Sequence, residues 1–304
     1  MTVAALERLY AGDPAGALAL LDTAAPPDAL DAEALVAYGV VQLANDCPTM
    51  ALPFLQAAVA LGEATPATLL NLALAERQAG DAARAFRLME ELERRLPEWH
   101  EPPLRLAEAL RAVGRMAEAE QAYARALAIH PACEPALLGL SGLLIMRGDC
   151  ATARGLLLRC CGIAPQRADV WDTLGLALRG TGENALAESA FAKAQELEPQ
   201  VLAYALHRLA AATAGGTEDA LLAWLDVATR ADPLNAVLIT TRGILLEQLG
   251  RREEAADALE AAVALAPEAP LPAYVLAEVL ARSNRLDDAE AALRRAGELD
   301  PDNA

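Results

Sequence analysis

The fold is decided by residues 168–201, which read ADVWDTLGLALRGTGENALAESAFAKAQELEPQV. Apolar and small side chains recur at spacings of three and four in both halves of this stretch, which places each set on one face of an α-helix. These side chains are Trp171, Leu174, Gly175 and Leu178, followed by Ala187, Phe191 and Ala194. Gly182 stands between the halves and Pro199 follows the second, so the stretch predicts two helices joined by a tight turn.

The same markers return every 34 residues along most of the chain. Prolines keep this spacing at Pro97, Pro131, Pro165, Pro199, Pro233, Pro267 and Pro301. Glycines keep it at Gly80, Gly114, Gly148, Gly182, Gly216 and Gly250. Glycine supplies the left-handed conformation that ends a helix, and proline cannot continue one. Two independent markers with one period predict an all-α chain of repeated helical hairpins.

The quoted stretch also carries a family resemblance. The pattern Trp171-x2-Leu174-Gly175, then Ala187-x3-Phe191, then Pro199 resembles the tetratricopeptide (TPR) repeat, although Leu178 stands where that family usually has tyrosine. The resemblance implies a right-handed α-solenoid, a superhelix of about nine antiparallel hairpins whose first helices line a concave groove. In this frame one solenoid covers 1–304, with repeats at 1–31 (partial), 32–65, 66–99, 100–133, 134–167, 168–201, 202–235, 236–269 and 270–303.

Composition and charge argue against several classes of protein. Hydrophobic residues make up 55% of the chain but aromatic residues only 4%, so the apolar fraction is mostly the helix formers alanine and leucine. The net charge of −18, with Lys193 as the only lysine, argues against nucleic-acid and membrane-surface partners. Glu7 and Arg8 interrupt the N-terminal apolar stretch, which argues against a signal peptide. Five cysteines in a chain of this length favour a cytoplasmic location over a disulfide framework.

Some repeats depart from the pattern. Asp46 and Asn284 replace the turn glycine, and both residue types tolerate the left-handed region better than most. The repeat at 202–235 has Arg208 where leucine is expected and a doubled Gly215-Gly216. That repeat reflects either local sequence drift or a more flexible joint.

The fifth position of each repeat faces the groove in the family, and it supplies the first candidate ligand contacts. Its occupants are Val36, Leu70, Leu104, Leu138, Asp172, Leu206, Thr240 and Tyr274. Five of these eight are aliphatic. They predict either a partner with apolar side chains or packing between neighbouring first helices, and the sequence favours neither.

Arginine recurs at the twelfth position, at Arg77, Arg111 and Arg179, and Arg105 projects from the same region. Residues 66–167 hold 13 arginines and 12 acidic residues, whereas the rest of the chain is strongly acidic. Because arginine forks match carboxylates and peptide carbonyls, this row predicts binding of such groups. The alternative is ordinary surface ion pairs, each contributing about 0–1 kcal/mol, with Glu76, Glu101 and Glu108.

Some TPR domains dock chaperones by holding a C-terminal carboxylate between lysine and asparagine side chains. Only Asn71 matches that clamp, because its counterparts are Arg105, Gly139, Thr173 and His207. A chaperone-tail adaptor is therefore not expected. Asn71, Glu108 and His207 stay candidate groove contacts.

The sequence contains no motif for catalysis, since G-x-S-x-G, phosphate-binding glycine loops and H-E-x-x-H are all missing. We therefore expect no enzymatic activity and no cofactor. His130 and Cys133 are close in sequence, and Cys160 and Cys161 come one repeat later. Zinc ligands usually come in pairs at short spacing, and free cysteine behaves as a small apolar residue, so no metal is expected.

These observations predict a non-catalytic scaffold that binds a peptide or helical segment of a partner protein in its concave groove. No polar capping helix follows the last repeat. This end predicts either self-association through that repeat or attachment to a further domain. In the second case the chain resembles the N-terminal arm of bacterial glycosyltransferase-like or sulfotransferase-like enzymes, in which the TPR part recruits the protein substrate.

Overall fold

The computed structural model describes residues 2–22 and 30–300 of the chain. These residues form 18 α-helices and no strand, which confirms the predicted all-α class. The described part leaves out residues 1, 23–29 and 301–304. The predicted end of the last repeat, at residue 303, therefore lies outside it. None of the described helices is long and apolar enough to cross a membrane.

The chain divides into two compact units, Met1–Leu143 and Leu144–Ala304, and the division falls within α9 (Glu134–Arg147). The first unit contains α1 (Thr2–Tyr10), α2 (Pro14–Asp22), α3 (Ala32–Ala44), α4 (Pro48–Ala60), α5 (Pro66–Gln78), α6 (Ala82–Arg95), α7 (Glu101–Ala112) and α8 (Met116–Ile129). The second contains α10 (Cys150–Ile163), α11 (Ala168–Gly180), α12 (Asn184–Leu197), α13 (Leu202–Gly215), α14 (Glu218–Ala231), α15 (Ala236–Gln248), α16 (Arg252–Leu265), α17 (Pro270–Arg282) and α18 (Leu286–Leu299).

Within each unit, successive helices pack as hairpins with a first, odd-numbered helix and a second, even-numbered helix. In the first unit α1 touches α3, α3 touches α5, and α5 touches α7. In the second unit the same relation joins α11, α13, α15 and α17. The first helices of neighbouring hairpins therefore lie side by side in each unit, as expected of an α-solenoid.

The turn inside each hairpin uses the left-handed backbone that the sequence predicts. Gly114 has a φ of +81°, and the N–H of Arg115 donates to the Leu110 carbonyl at 2.9 Å, which satisfies a carbonyl at the helix end. Asp46 and Asn284, which replace glycine, have φ values of 56° and 60°. The prediction of left-handed backbone is confirmed at both positions.

A different turn leads from each second helix into the next hairpin, and we call it the junction turn. In it a backbone N–H donates to the carbonyl three positions earlier, as from Cys133 to His130 at 3.0 Å and from Trp99 to Leu96 at 3.0 Å. The second unit repeats it, for example from Ala269 to Ala266 at 3.1 Å. The junction turn is thus a feature of the repeat and does not depend on one particular sequence.

Small residues allow the two helices of a hairpin to cross closely, as the sequence predicts for Gly175. A Cβ atom at Gly175 would lie 2.4 Å from Cε1 of the fully buried Phe191. The same relation holds between Gly243 and Leu259, where the distance from the added Cβ to Cγ would be 2.7 Å. Real Cβ atoms do not approach so closely, so glycine is required by packing at these crossings.

The departure from the repeat pattern at Arg208 has a packing role. Its side chain is 9% exposed, and Nε–H donates to Oε1 of Glu188 at 2.8 Å. A second guanidinium nitrogen donates to Oε1 of Gln195 at 3.2 Å, and the guanidinium carbon lies 4.1 Å from the ring centroid of Trp224. Arg208 therefore links α12, α13 and α14, and α13 runs unbroken to Gly215.

Candidate peptide-binding cleft

A cleft of about 370 Å³ lies across the first helices of the first unit. It is formed by α1, α3 and α5 together with the turn that precedes α5. Its lining residues are Leu6, Tyr10, Glu33, Val36, Ala37, Val40, Glu63, Thr65, Ala67, Thr68 and Asn71. We call this site the N-terminal cleft.

The floor of the N-terminal cleft is apolar. Leu6, Val36 and Val40 are half-buried, and Tyr10 is 84% exposed. Covering such surface with an apolar ligand group would yield about 25 cal/mol for each Å² removed from water. The cleft therefore has the apolar area that an anchoring side chain requires.

The rim of the cleft carries polar groups that the fold does not use. Glu33 and Glu63 form no ion pair with any described residue, and the Asn71 amide makes no hydrogen bond to one. By contrast, the Thr65 hydroxyl accepts the Thr68 N–H at 3.2 Å and caps α5. Two carboxylates and one amide are thus free to receive cationic or N–H groups of a ligand.

The fifth-position residues of the first unit divide into two groups. Val36 lines the cleft, and Leu138 is half-buried. Leu70 and Leu104 are only 8% and 1% exposed, so both pack into the helical core and offer little surface to a ligand. Packing between helices accounts for Leu104, whereas Val36 is available for contact.

Arg105 takes part in ion pairs on its own helix. Its Nε–H donates to Glu101 at 3.1 Å, and Nη1–H donates to Glu108 at 3.0 Å. Burial opposes the charge of Arg105, but the two carboxylates outweigh burial and raise its pKa. This arrangement matches the ion-pair alternative, and it occupies both Arg105 and Glu108.

The arginines at the twelfth repeat position take part in fewer ion pairs than Arg105. Arg77 and Arg111 form no ion pair with a described residue. Glu76, which precedes Arg77, pairs with Arg84 at 2.9 Å. Burial raises the pKa of Tyr123, and the charge of nearby Arg111 opposes that rise. Neither arginine is neutralised by a described carboxylate, and Arg111 also interacts with the Tyr123 hydroxyl.

In the second unit, the predicted residues Asp172 and His207 contact each other. Asp172 Oδ1 lies 2.7 Å from His207 Nδ1, which joins α11 to α13. Asp172 is 8% exposed, and the His207 ring packs 5.4 Å from the ring of Phe191. Each partner therefore already satisfies the polar group of the other.

The remaining predicted residues of this unit vary in exposure. Arg179 is exposed and forms no ion pair with a described residue. Leu206 and Tyr274 are half-buried, and the Tyr274 hydroxyl donates a long hydrogen bond to the Asp300 carbonyl at 3.4 Å. They offer partial surface to a ligand.

Two further clefts lie beside second helices. One of about 600 Å³ runs between α6 and α8, where Arg125 pairs with Glu93 at 2.5 Å. Another of about 350 Å³ in the second unit is lined by apolar residues that include Leu158, Trp171 and Leu186. The first cleft is larger than the N-terminal cleft, but its Arg125 and Glu93 already neutralise each other. A larger volume alone therefore does not make it the better candidate for a binding site.

Nine lining residues of the N-terminal cleft were not predicted: Leu6, Tyr10, Glu33, Ala37, Val40, Glu63, Thr65, Ala67 and Thr68. Glu33 occupies the second position of its repeat, and Leu6 occupies the ninth in the frame of the partial repeat. A comparison of those positions along the chain would have found both. Tyr10 and Glu63 lie near helix ends, where repeat position is a weaker guide.

The cysteines are all free thiols. Burial raises the pKa of Cys161 to about 11, which keeps this thiol protonated at neutral pH. Burial likewise raises the pKa of Cys133. The ligating atoms of Cys133, His100 and His130 lie within 4.8 Å of one another, the one such group of three found among the described residues.

Family models of the tetratricopeptide repeat match residues 104–168 and 240–304, and residues 168–201. Together they cover more than half of the chain. The chain therefore belongs to the tetratricopeptide-repeat family. No curated protein matches it significantly.

Solved structures with the same fold include other TPR proteins. The C-terminal part of one from Cytophaga hutchinsonii is 16% identical, with 88% of this chain and 95% of that chain aligned at a TM-score of 0.56. One from Parabacteroides merdae is 15% identical, with 87% of this chain and 98% of that chain aligned at a TM-score of 0.52. YrrB, described as a TPR protein with an unusual peptide-binding site, is 20% identical. The alignment covers 60% of this chain and 95% of that chain at a TM-score of 0.46. At these identities, the two alignments with TM-scores above 0.5 establish the fold alone.

Proposed function

We propose that this chain is a non-catalytic scaffold that binds a peptide segment of a partner protein across its first helices. TPR proteins generally serve as scaffolds, and their stacked hairpins present an extended surface. The observation that carries the proposal is the N-terminal cleft, whose apolar floor adjoins unpaired polar groups. This combination is typical of a site that anchors one side chain and orients a backbone.

The chemistry of the cleft defines the ligand class. Val36 and Val40 suit an aliphatic or aromatic anchor, and the carboxylates of Glu33 and Glu63 suit a lysine or arginine next to it. The Asn71 amide can both donate to and accept from a peptide unit. We therefore propose a peptide with an apolar residue adjacent to a basic one.

Selection from a random-peptide phage library against the immobilised chain tests this proposal. We expect enrichment of sequences that pair an apolar residue with lysine or arginine. Val36→Glu should weaken the selected peptides by about 100-fold, because a charge replaces an apolar contact in the cleft. Tyr10→Ala should weaken them by about tenfold without a risk to folding, since this side chain is 84% exposed.

The matched control is Val227→Glu, because Val227 is 60% exposed on the second helix α14. This variant should bind like the unmodified chain. Fluorescence polarisation gives the affinities, and circular dichroism confirms equal helicity. Selected peptides that bind Val36→Glu and Tyr10→Ala as tightly as the unmodified chain would place the binding site elsewhere.

The arginines further along the first helices make a second, separable contribution. If Arg77 and Arg111 receive carboxylates or carbonyls of the same ligand, Arg77→Glu combined with Arg111→Glu should weaken binding by about tenfold or more. Helicity should not change. Arg87→Glu, on the second helix α6, is the control for charge reversal. An unchanged affinity of the double variant for a confirmed partner would remove the arginine row from the site.

We also propose a reducing, cytoplasmic setting for this scaffold. The five free thiols support it, since a reducing compartment keeps cysteines in this state, and three of the five are buried. Alkylation of thiols in freshly lysed source cells, followed by mass spectrometry, should find all five reduced. Oxidised pairs in that experiment would exclude this setting.

A further inference from the structure

Three metal-ligating side chains converge at one junction turn of the first unit. His100 immediately precedes α7, His130 immediately follows α8, and Cys133 immediately precedes α9. One ligating atom from each lies within 4.8 Å of the other two. The sequence did not reveal this group, because His100 is 30 residues away in the chain and arrives through hairpin packing.

The backbone holds all three residues by hydrogen bonds that belong to the repeat. The His130 N–H donates to the Ala126 carbonyl at 2.8 Å, and the Cys133 N–H donates to the His130 carbonyl at 3.0 Å. The carbonyl of His100 accepts from the Leu104 N–H at 3.1 Å, at the start of α7. The positions of the ligands are therefore fixed by the fold before any ion binds.

The side chains keep enough freedom to close around an ion. The centroids of the two imidazole rings are 4.7 Å apart, the ring planes are tilted by 50°, and His130 is exposed. Bonds of about 2.0–2.3 Å to Zn²⁺ in a tetrahedron place ligand atoms roughly 3.3–3.8 Å apart. Since the ligating atoms already lie within 4.8 Å of one another, side-chain movements of about 1 Å bring them to this spacing.

The surrounding charges suit a cation. A Glu101 carboxylate oxygen lies 3.6 Å from Nε2 of His100. A carboxylate in this place can orient a ligating histidine through its other ring nitrogen. Arg105, the nearest positive charge on α7, is neutralised by Glu101 and Glu108.

The same junction turn one repeat earlier carries no such ligands. The residues that correspond to His100, His130 and Cys133 are Pro66, Leu96 and Trp99. The turn between Leu96 and Trp99 has the same hydrogen bond at 3.0 Å. The fold therefore does not require ligating side chains at this place.

We propose that His100, His130 and Cys133 bind one Zn²⁺ ion and leave its fourth coordination position open at the exposed His130 side. Two imidazoles and a thiolate are a ligand set that zinc accepts in tetrahedral sites. The ion would tie three consecutive helices, α7, α8 and α9, at their ends. The open position would take water or a ligating side chain of a partner protein.

Isothermal titration of the full, tag-free, chelator-treated chain with ZnCl₂ tests the proposal. We expect a saturable phase with one Zn²⁺ per chain. His130→Gln and Cys133→Ser should each weaken it by about tenfold or more, and the double variant should abolish it. Serine keeps a side-chain oxygen at the start of α9, so Cys133→Ser preserves the helix.

Two controls address other thiols and imidazoles. His207→Gln and Cys47→Ser, neither of which changes a member of the group of three, should bind Zn²⁺ as the unmodified chain does. Co²⁺ as a spectroscopic probe should give tetrahedral visible bands and a thiolate charge-transfer band that Cys133→Ser removes. The absence of a one-to-one phase, or a phase that survives in the double variant, would overturn the proposal.

Discussion

Replacement of Arg208 by alanine is expected to lower the free energy of unfolding of the second unit by about 3 kcal/mol. The guanidinium holds Glu188 at 2.8 Å and Gln195 at 3.2 Å, and it stacks over Trp224. Alanine leaves a carboxylate that is 78% buried without its partner and removes a cation–π contact. Urea unfolding measures the loss, and hydrogen exchange should locate it in α12, α13 and α14.

Arg242 provides the matched control, because it stands at the same repeat position one hairpin later. Its pair with Asp226 at 2.7 Å is 25% and 38% exposed, so water replaces the lost partner. Arg242→Ala should therefore cost only about 0–1 kcal/mol. An equal loss for both alanine variants would show that burial of the Arg208 pair does not determine its contribution.

A rescue variant separates the unpaired charge from lost packing. Arg208→Leu combined with Glu188→Ala restores the leucine of the repeat pattern and removes both charges. Buried ion pairs replaced by apolar groups are often neutral in stability. We therefore expect this double variant to recover most of the stability that Arg208→Ala loses. If the double variant is as unstable as Arg208→Ala, the contribution of Arg208 comes from packing and the aromatic contact.

Local rules of the chain were sufficient to predict the hairpins. Gly114 and Asp46 needed only their own backbone preferences to indicate the left-handed turn, and both adopt it. Gly175 and Phe191 are 16 positions apart in the sequence, yet the repeat frame already places them at one helix crossing. Properties that recur in every repeat can therefore be read from the sequence.

The cleft was less accessible to sequence reasoning. The repeat frame gave Val36 and Leu104 the same position, and it could not separate Val36, which lines the cleft, from Leu104, which is 1% exposed. That difference depends on the packing around each side chain, which varies between hairpins. Tyr10 and Glu63 enter the cleft from helix ends, where the conformation of a turn decides the direction of a side chain.

Arg208 and the ligand triad of His100, His130 and Cys133 show a further limit. In each case the residues come from three successive helices or from the turns at their ends. An unusual residue in one repeat then contacts residues of the neighbouring repeats. When one repeat is read alone, the unusual residue is seen only as a departure from the pattern. To interpret such a departure, one must know which residues of the adjacent hairpins pack against it.

Gly175→Ala is expected to lower the free energy of unfolding of the second unit by about 2 kcal/mol, although alanine is the better helix former. The new Cβ would lie 2.4 Å from Phe191 Cε1 and 2.6 Å from Cδ1, and Phe191 is fully buried. Forcing a methyl group into a packed core costs about 1–3 kcal/mol, whereas the gain in helix propensity is at most about 1 kcal/mol. Overpacking therefore outweighs propensity.

The control and the rescue for Gly175→Ala come from the chain itself. Gly155 lies inside α10 with no atom within 4 Å of an added Cβ, so Gly155→Ala should gain about 0.5–1 kcal/mol. Ala73 and Met89 occupy the repeat positions of Gly175 and Phe191, and both are fully buried. Gly175→Ala with Phe191→Met copies that pair and should recover most of the loss. Urea unfolding of the unmodified chain, Gly175→Ala, Phe191→Met and the double variant measures the coupling, and independent effects at 175 and 191 would contradict a direct contact as the cause.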